Sequence, residues 1–139
     1  MSYGNTSAQY LEADILSRSK EWLVPLLYEH LLARLRRAGV QIEAGDFEGK
    51  AESIGKANEI VLELAGNLDL VNGGELAKQL SSLYAFFAGE ILAISRTLEL
   101  ERLERLVALI ADLHEAWVQA AEQVAPRGRA TGARPVIAL

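Results

Sequence analysis

Apolar residues recur along this chain in steps of three and four, the spacing that lines side chains up on one face of an α-helix. Val24, Tyr28, Leu31, Leu35, Ala38 and Ile42 make one such stripe, in a segment running from about Lys20 to Glu43. Phe47, Ile54, Ala57, Val61, Leu64 and Leu68 make a second. Leu76, Leu80, Leu83, Phe87, Ile91 and Ile94 make a third, from about Gly74 to Arg96. The fourth is the cleanest, with Leu103, Leu106, Ile110, Leu113, Trp117 and Ala120. Between the first two stripes, "AGDFEG" supplies Gly45 as a stop and Asp46 as the N-cap of the next helix. Prolines stand only at 25, 126 and 135, and no β-branched run is bounded by turn residues. The pattern predicts an all-α fold, an antiparallel four-helix bundle over residues 20–125. Residues 1–19 would form a short helical or extended cap segment, and residues 126–139 a disordered tail. Pro25 predicts either a kink in the first helix or a start nearer Trp22.

Two stretches are more apolar than a single buried face requires. "WLVPLLY", residues 22–28, carries no charge, and neither does "LYAFFA", residues 83–88. The third helix thus crowds Leu83, Tyr84, Phe86, Phe87, Ile91 and Leu92 together. A wide bundle core can absorb such a surplus. So can a groove that receives an apolar helix from a partner. Periodicity leaves both readings open.

Composition narrows the function classes. Without cysteine there is neither a disulfide nor a thiolate metal site. Arg127, Arg129 and Arg134 lie in the tail, so the remaining 11 basic residues of the 14 face 19 acids, a net of −8. An acidic body repels phosphate backbones, which argues against nucleic acid as the partner. The start of the chain lacks the basic and apolar regions of a signal peptide, and no apolar run is long enough to cross a membrane. A cytoplasmic protein without membrane insertion is expected.

Candidate chemistry is sparse. The residues three before His30 and His114 are Leu27 and Ala111, so neither completes the Glu-x-x-His pair of a carboxylate-bridged metal bundle. Both histidines read as surface residues. "NGGE", residues 72–75, lacks the Lys-Ser/Thr of a phosphate loop and reads as a tight connection. No nucleophile, base and oxyanion donor assemble, so neither an enzyme, a metal nor a cofactor is expected.

The ordered set of segments resembles a known family. Tyr10 stands eighteen residues before the tyrosine of "LLYEHLLARL". "VQIEAGDFEGKAESIGKANEIVLELAGNLD" follows, then "GGELAKQLSSLYAFF", then "LHEAW" with Trp117. Together, over roughly residues 10–122, they resemble the FliS proteins, flagellar export chaperones that hold flagellin before secretion. The chain departs from the family pattern in having "SRSKEWL" before the first helix, Pro25 within it, and Glu29 after Tyr28. The resemblance implies a chaperone that binds the C-terminal region of flagellin in an apolar groove. It would prevent premature polymerisation and keep its client competent for type III export. The export gate is a further partner on this reading. The expected groove residues are Leu27, Tyr28, Ile60, Leu64, Leu80, Leu83, Tyr84 and Phe87, with Tyr10, Leu11 and Ile15 of the N-terminal segment covering part of it. Trp117 and its stripe are assigned to the core. The alternatives are a structural bundle whose surplus faces pair in a homodimer, and a chaperone of another client.

Overall fold

The computed structural model describes residues 22–131, with side chains described as far as residue 124. Among the described residues there are four helices and no strand: α1 (Leu23–Ala44), α2 (Phe47–Gly66), α3 (Gly74–Thr97) and α4 (Leu100–Thr131). Helix α1 begins close to Trp22, the second of the two outcomes expected of Pro25. Pro25 then falls in the first turn, where its missing N–H would have had no helical partner.

The helix ends follow local chemistry. Gly45 takes a left-handed φ of 73°, and the Asp46 N–H folds back onto the Gln41 carbonyl at 2.8 Å. Asp46 then caps α2, its carboxylate accepting from the Gly49 N–H at 2.9 Å. In the connection from α2 to α3, the Asp69 carboxylate accepts from the N–H groups of Val71 and Asn72 at 3.1 and 3.0 Å. These donors, led by Asn72, hold Asp69 below the usual aspartate range. Leu98 closes α3 in the left-handed region at φ 60°, its N–H donating to the Ile94 carbonyl at 2.8 Å. A leucine there carries strain of roughly 1 kcal/mol or more that a glycine would not. Helix α4 runs to Thr131, past the boundary expected at 125.

The two-residue connections at Gly45–Asp46 and Leu98–Glu99 force antiparallel neighbours. Cross-helix contacts give the register. Ser53 of α2 donates to Gln41 Oε1 of α1 at 2.7 Å, and Lys50 Nζ of α2 donates to the Ser95 carbonyl of α3 at 3.1 Å. Tyr28 near the start of α1 meets Trp117 far along α4. Helix α1 packs on α2 and α4, and α2 and α4 each pack on α3. The α1–α2 pair meets over the longest stretch, and the α3–α4 pair over the shortest.

The core gathers the four stripes, with Leu31, Leu35, Ala57, Val61, Phe87, Ile91, Leu106 and Ile110 all buried. Phe47 and Leu76 depart from expectation: both are exposed. Each stands in the first turn of its helix, where fewer neighbours surround a side chain.

Candidate functional site: the α3–α4 edge

Glu90 marks the side of α3 that faces α4. Its carboxylate accepts two hydrogen bonds from Arg102 of α4, from Nε at 2.9 Å and from Nη2 at 2.8 Å. Counting back from Glu90 in helical steps reaches Phe86, Leu83, Gln79 and Leu76 on the same side. Counting forward from Arg102 likewise reaches Arg105, beside the charged end, and then Leu109, Leu113, Ala116 and Ala120. Phe86 is 49% exposed, Leu76 46% and Leu109 38%, while Leu83 and Leu113 are half-buried against the core. The edge between the two helices is therefore an apolar strip. From Leu76 to Glu90 it is about 21 Å long, at 1.5 Å per residue.

Below the strip lies an aromatic floor. The Tyr84 and Phe87 rings sit 5.8 Å apart, and Phe86 leans on Phe87 at 6.4 Å. The Tyr28 hydroxyl donates to the Tyr84 hydroxyl at 3.2 Å, and the Trp117 indole hydrogen-bonds Tyr28 in turn. One polar chain thus ties α4, α1 and α3 together inside the core. Burial pushes both phenols above the usual tyrosine range. Among the described residues no buried side-chain polar atom lacks a partner.

One end of the strip is closed by charge. Arg102 reaches Glu99 at 3.6 Å as well as Glu90. The hydrogen bonds from Arg102, together with the nearby Arg105 charge, hold Glu90 below the usual glutamate range. Along its middle the strip carries no ionisable side chain. Its chemistry suits covering an apolar helix face, with the charged end limiting how far such a helix can lie. Among the described residues no three His, Asp or Glu side chains converge as they would around a metal ion.

The expected groove residues fall into three groups. Leu27, Tyr28, Ile60, Leu64, Leu80, Tyr84 and Phe87 are buried in the core, and of these Leu80, Tyr84 and Phe87 belong to the α3 side of the floor. Leu83 alone lies on the strip. Tyr10, Leu11 and Ile15 lie outside the described residues. Trp117, expected in the core, is partly buried against it. His30 and His114, expected at the surface, are half-buried. Leu76 and Leu113, read from the sequence as stripe positions, and Leu109 and Ala116, not singled out there, also fall on this edge. The signal that finds them is the step of three or four from an interhelical ion pair.

Comparison with known proteins agrees with this architecture. The family described as "Flagellar protein FliS" matches residues 3–124. The chain belongs to the FliS family. Among relatives of that family, the flagellar secretion chaperone FliS of Salmonella typhimurium is 31% identical over 110 residues, 78% of this chain and 82% of the relative. The Vibrio cholerae flagellar secretion chaperone FliS is 26% identical over 109 residues, 78% of this chain and 80% of its own. The Bacillus subtilis one is 26% identical over 120 residues, covering 86% and 89%. FliS is a family of chaperones rather than of enzymes, and the all-α bundle expected from the periodicity of the chain is the fold found. Among the described residues no helix is long and apolar enough to cross a membrane.

Proposed function

We propose that this FliS-family chaperone binds the C-terminal segment of flagellin in the cytoplasm, with the apolar face of a client helix laid along the α3–α4 edge. The observation that carries the reading is the strip itself, where exposed Leu76, Phe86 and Leu109 and half-buried Leu83 and Leu113 fall on the edge that the Glu90–Arg102 pair marks. A helix on that strip covers its own apolar face, the face through which flagellin would self-assemble. The client stays unpolymerised and competent for export.

Magnitudes say how much of the client must engage. A strip about 21 Å by 10 Å covers on the order of 200 Å² on each partner, worth roughly 10 kcal/mol at 25 cal/mol per Å². Ordering the client and losing its free motion cost about as much. The strip alone therefore binds weakly, and a tight complex needs a longer, wrapping contact. In this reading the segment carrying Tyr10, Leu11 and Ile15 competes with the client for the edge at Leu83, above the buried Leu80, Tyr84 and Phe87. The export gate receives the loaded complex.

Calorimetry against a roughly 60-residue C-terminal flagellin peptide, about 90 Å long if fully helical, tests the proposal. The expected result is a one-to-one complex with a large negative heat-capacity change. No binding, with the protein dimeric in solution, would overturn it and assign the strip to self-association. Deleting residues 1–16 is expected to raise both client affinity and the binding of a hydrophobic dye. If neither changes, the competing role of that segment is wrong.

A further inference from the structure

Helix α3 is held very differently at its two ends. At the C-terminal end, Lys50 Nζ of α2 hydrogen-bonds the Ser95 carbonyl, and Arg102 of α4 grips Glu90 with two hydrogen bonds. Leu98 fixes the turn to α4 in its left-handed conformation. At the N-terminal end Gly73 makes no side-chain cap, and Gly74 has a φ of 62°. The loop before it exposes Leu70 and Val71. Glu90–Arg102 is the one direct hydrogen-bonded tie between α3 and α4 among the described residues. It sits beside the turn, about 21 Å from Leu76.

From this asymmetry we infer that α3 is a jaw hinged at its C-terminal end, and that Arg102 is the positioning residue that sets how wide the α3–α4 edge opens. The inference deepens the client-binding reading and rests on it for its purpose, though not for its geometry. Opening by a pivot at the Glu90–Arg102 pair separates Leu76 from Ala116 while Glu90 stays against Arg102. The strip then widens from its open end, and the ion pair stops a client helix at the closed end. The planar guanidinium, with two parallel donors to one carboxylate, fixes both distance and angle, which a lysine could not do. The core beneath supplies the restoring force, since lifting the start of α3 exposes Ala77 and Leu80 before it reaches Phe87.

The chain has no cysteine, so pairs introduced by mutation are the sole labelling sites. Spin labels at Lys78→Cys and Gln119→Cys report the open end, and labels at Arg96→Cys and Glu101→Cys report the closed end. All four positions are exposed. Without client, the open-end distance distribution is expected to be the broader of the two. Arg102→Lys is expected to broaden the closed-end distribution and to weaken peptide binding about fivefold, the scale of a partly exposed ion pair. Glu90→Gln is the second variant and keeps the carboxylate's shape. Equally narrow distributions at both ends, unmoved by either variant, would overturn the jaw. Because the distances are measured without peptide, a failure of flagellin to bind would leave this result standing. A moving jaw without flagellin binding would refute only the client.

Discussion

The two hairpins of the bundle are both built from amphipathic helices yet are packed differently. In the α1–α2 hairpin, Ala38 and Ala57 are fully buried, Ser53 bonds Gln41, and the helices lie close along most of their length. In the α3–α4 hairpin the positions in phase with the Glu90–Arg102 pair include Leu76, Leu83, Phe86, Leu109 and Leu113, and the helices meet least. Small residues let backbones approach and close an interface. Large ones hold backbones apart and leave their own flanks exposed. The first hairpin buries its apolar surface in the core, while the second leaves some at its edge, the surface proposed above for the client.

Adjacent phenylalanines offer the sharpest test of that contrast. Phe87 is fully buried and Phe86 half-exposed, one residue apart. Phe87→Ala is expected to cost about 3–5 kcal/mol in urea unfolding, as for a large cavity in a packed core. Phe86→Ala should cost about 1 kcal/mol or less, yet weaken client binding tenfold or more, since flank positions feel the partner rather than the fold. Equal stability losses would erase the distinction between strip and core.

Charge placed on the strip should separate the two halves by function. Leu83→Asp and Leu109→Asp are each expected to reduce client affinity by about a factor of ten or more, as burying an unpaired carboxylate does. Leu62→Asp, equally polar but on the outer face of α2 and 64% exposed, is expected to leave binding unchanged in the same titration. If Leu62→Asp abolishes binding too, the client lies elsewhere.

A smaller effect concerns the floor. Tyr84→Phe removes a buried hydrogen bond with Tyr28 and is expected to cost about 1 kcal/mol. Burial keeps both phenols protonated above their ordinary value of 10.0. The unfolded chain releases those protons near that value, so above it the folded state binds more protons and stability falls as pH rises. Chemical denaturation across about pH 9 to 11 should show this fall in the wild type and a shallower one in the Tyr28→Phe/Tyr84→Phe double variant. Identical slopes would place the phenols in water.

The smallest expected effect is at the closed end. Glu90 is held below its ordinary range by Arg102, so the stability it adds is present above the unfolded glutamate value and disappears as pH falls through the lower folded one. The closed-end distance should therefore stay narrow from neutral pH through the ordinary glutamate range and broaden only below it. In Glu90→Gln that acid dependence should vanish.

Much of the architecture was legible along the chain. The steps of three and four located all four helices, Gly45 and Asp46 marked the first turn, and the surplus in "LYAFFA" pointed to α3 as more than a core helix. Which residues form the strip was not legible. Leu83 and Phe87 share one stripe, as do Leu76 and Leu80, and within each pair only the second is buried. Phe86 and Phe87 have the same side chain and lie side by side.

What the sequence determined by itself is the class of object: a helical bundle whose first and third helices carry more apolar residues than one buried face needs. Local propensity, capping and periodicity are properties of neighbouring residues, and they survive without knowledge of the rest of the chain. Only the tertiary structure decided which apolar residues close the core and which stay at the edge. That choice depends on the spacing between two helices, and the spacing is set by side chains on both at once. Phe86 is exposed and Phe87 buried side by side on α3, a division that follows from where the neighbouring helices lie around α3 and not from the side chains themselves.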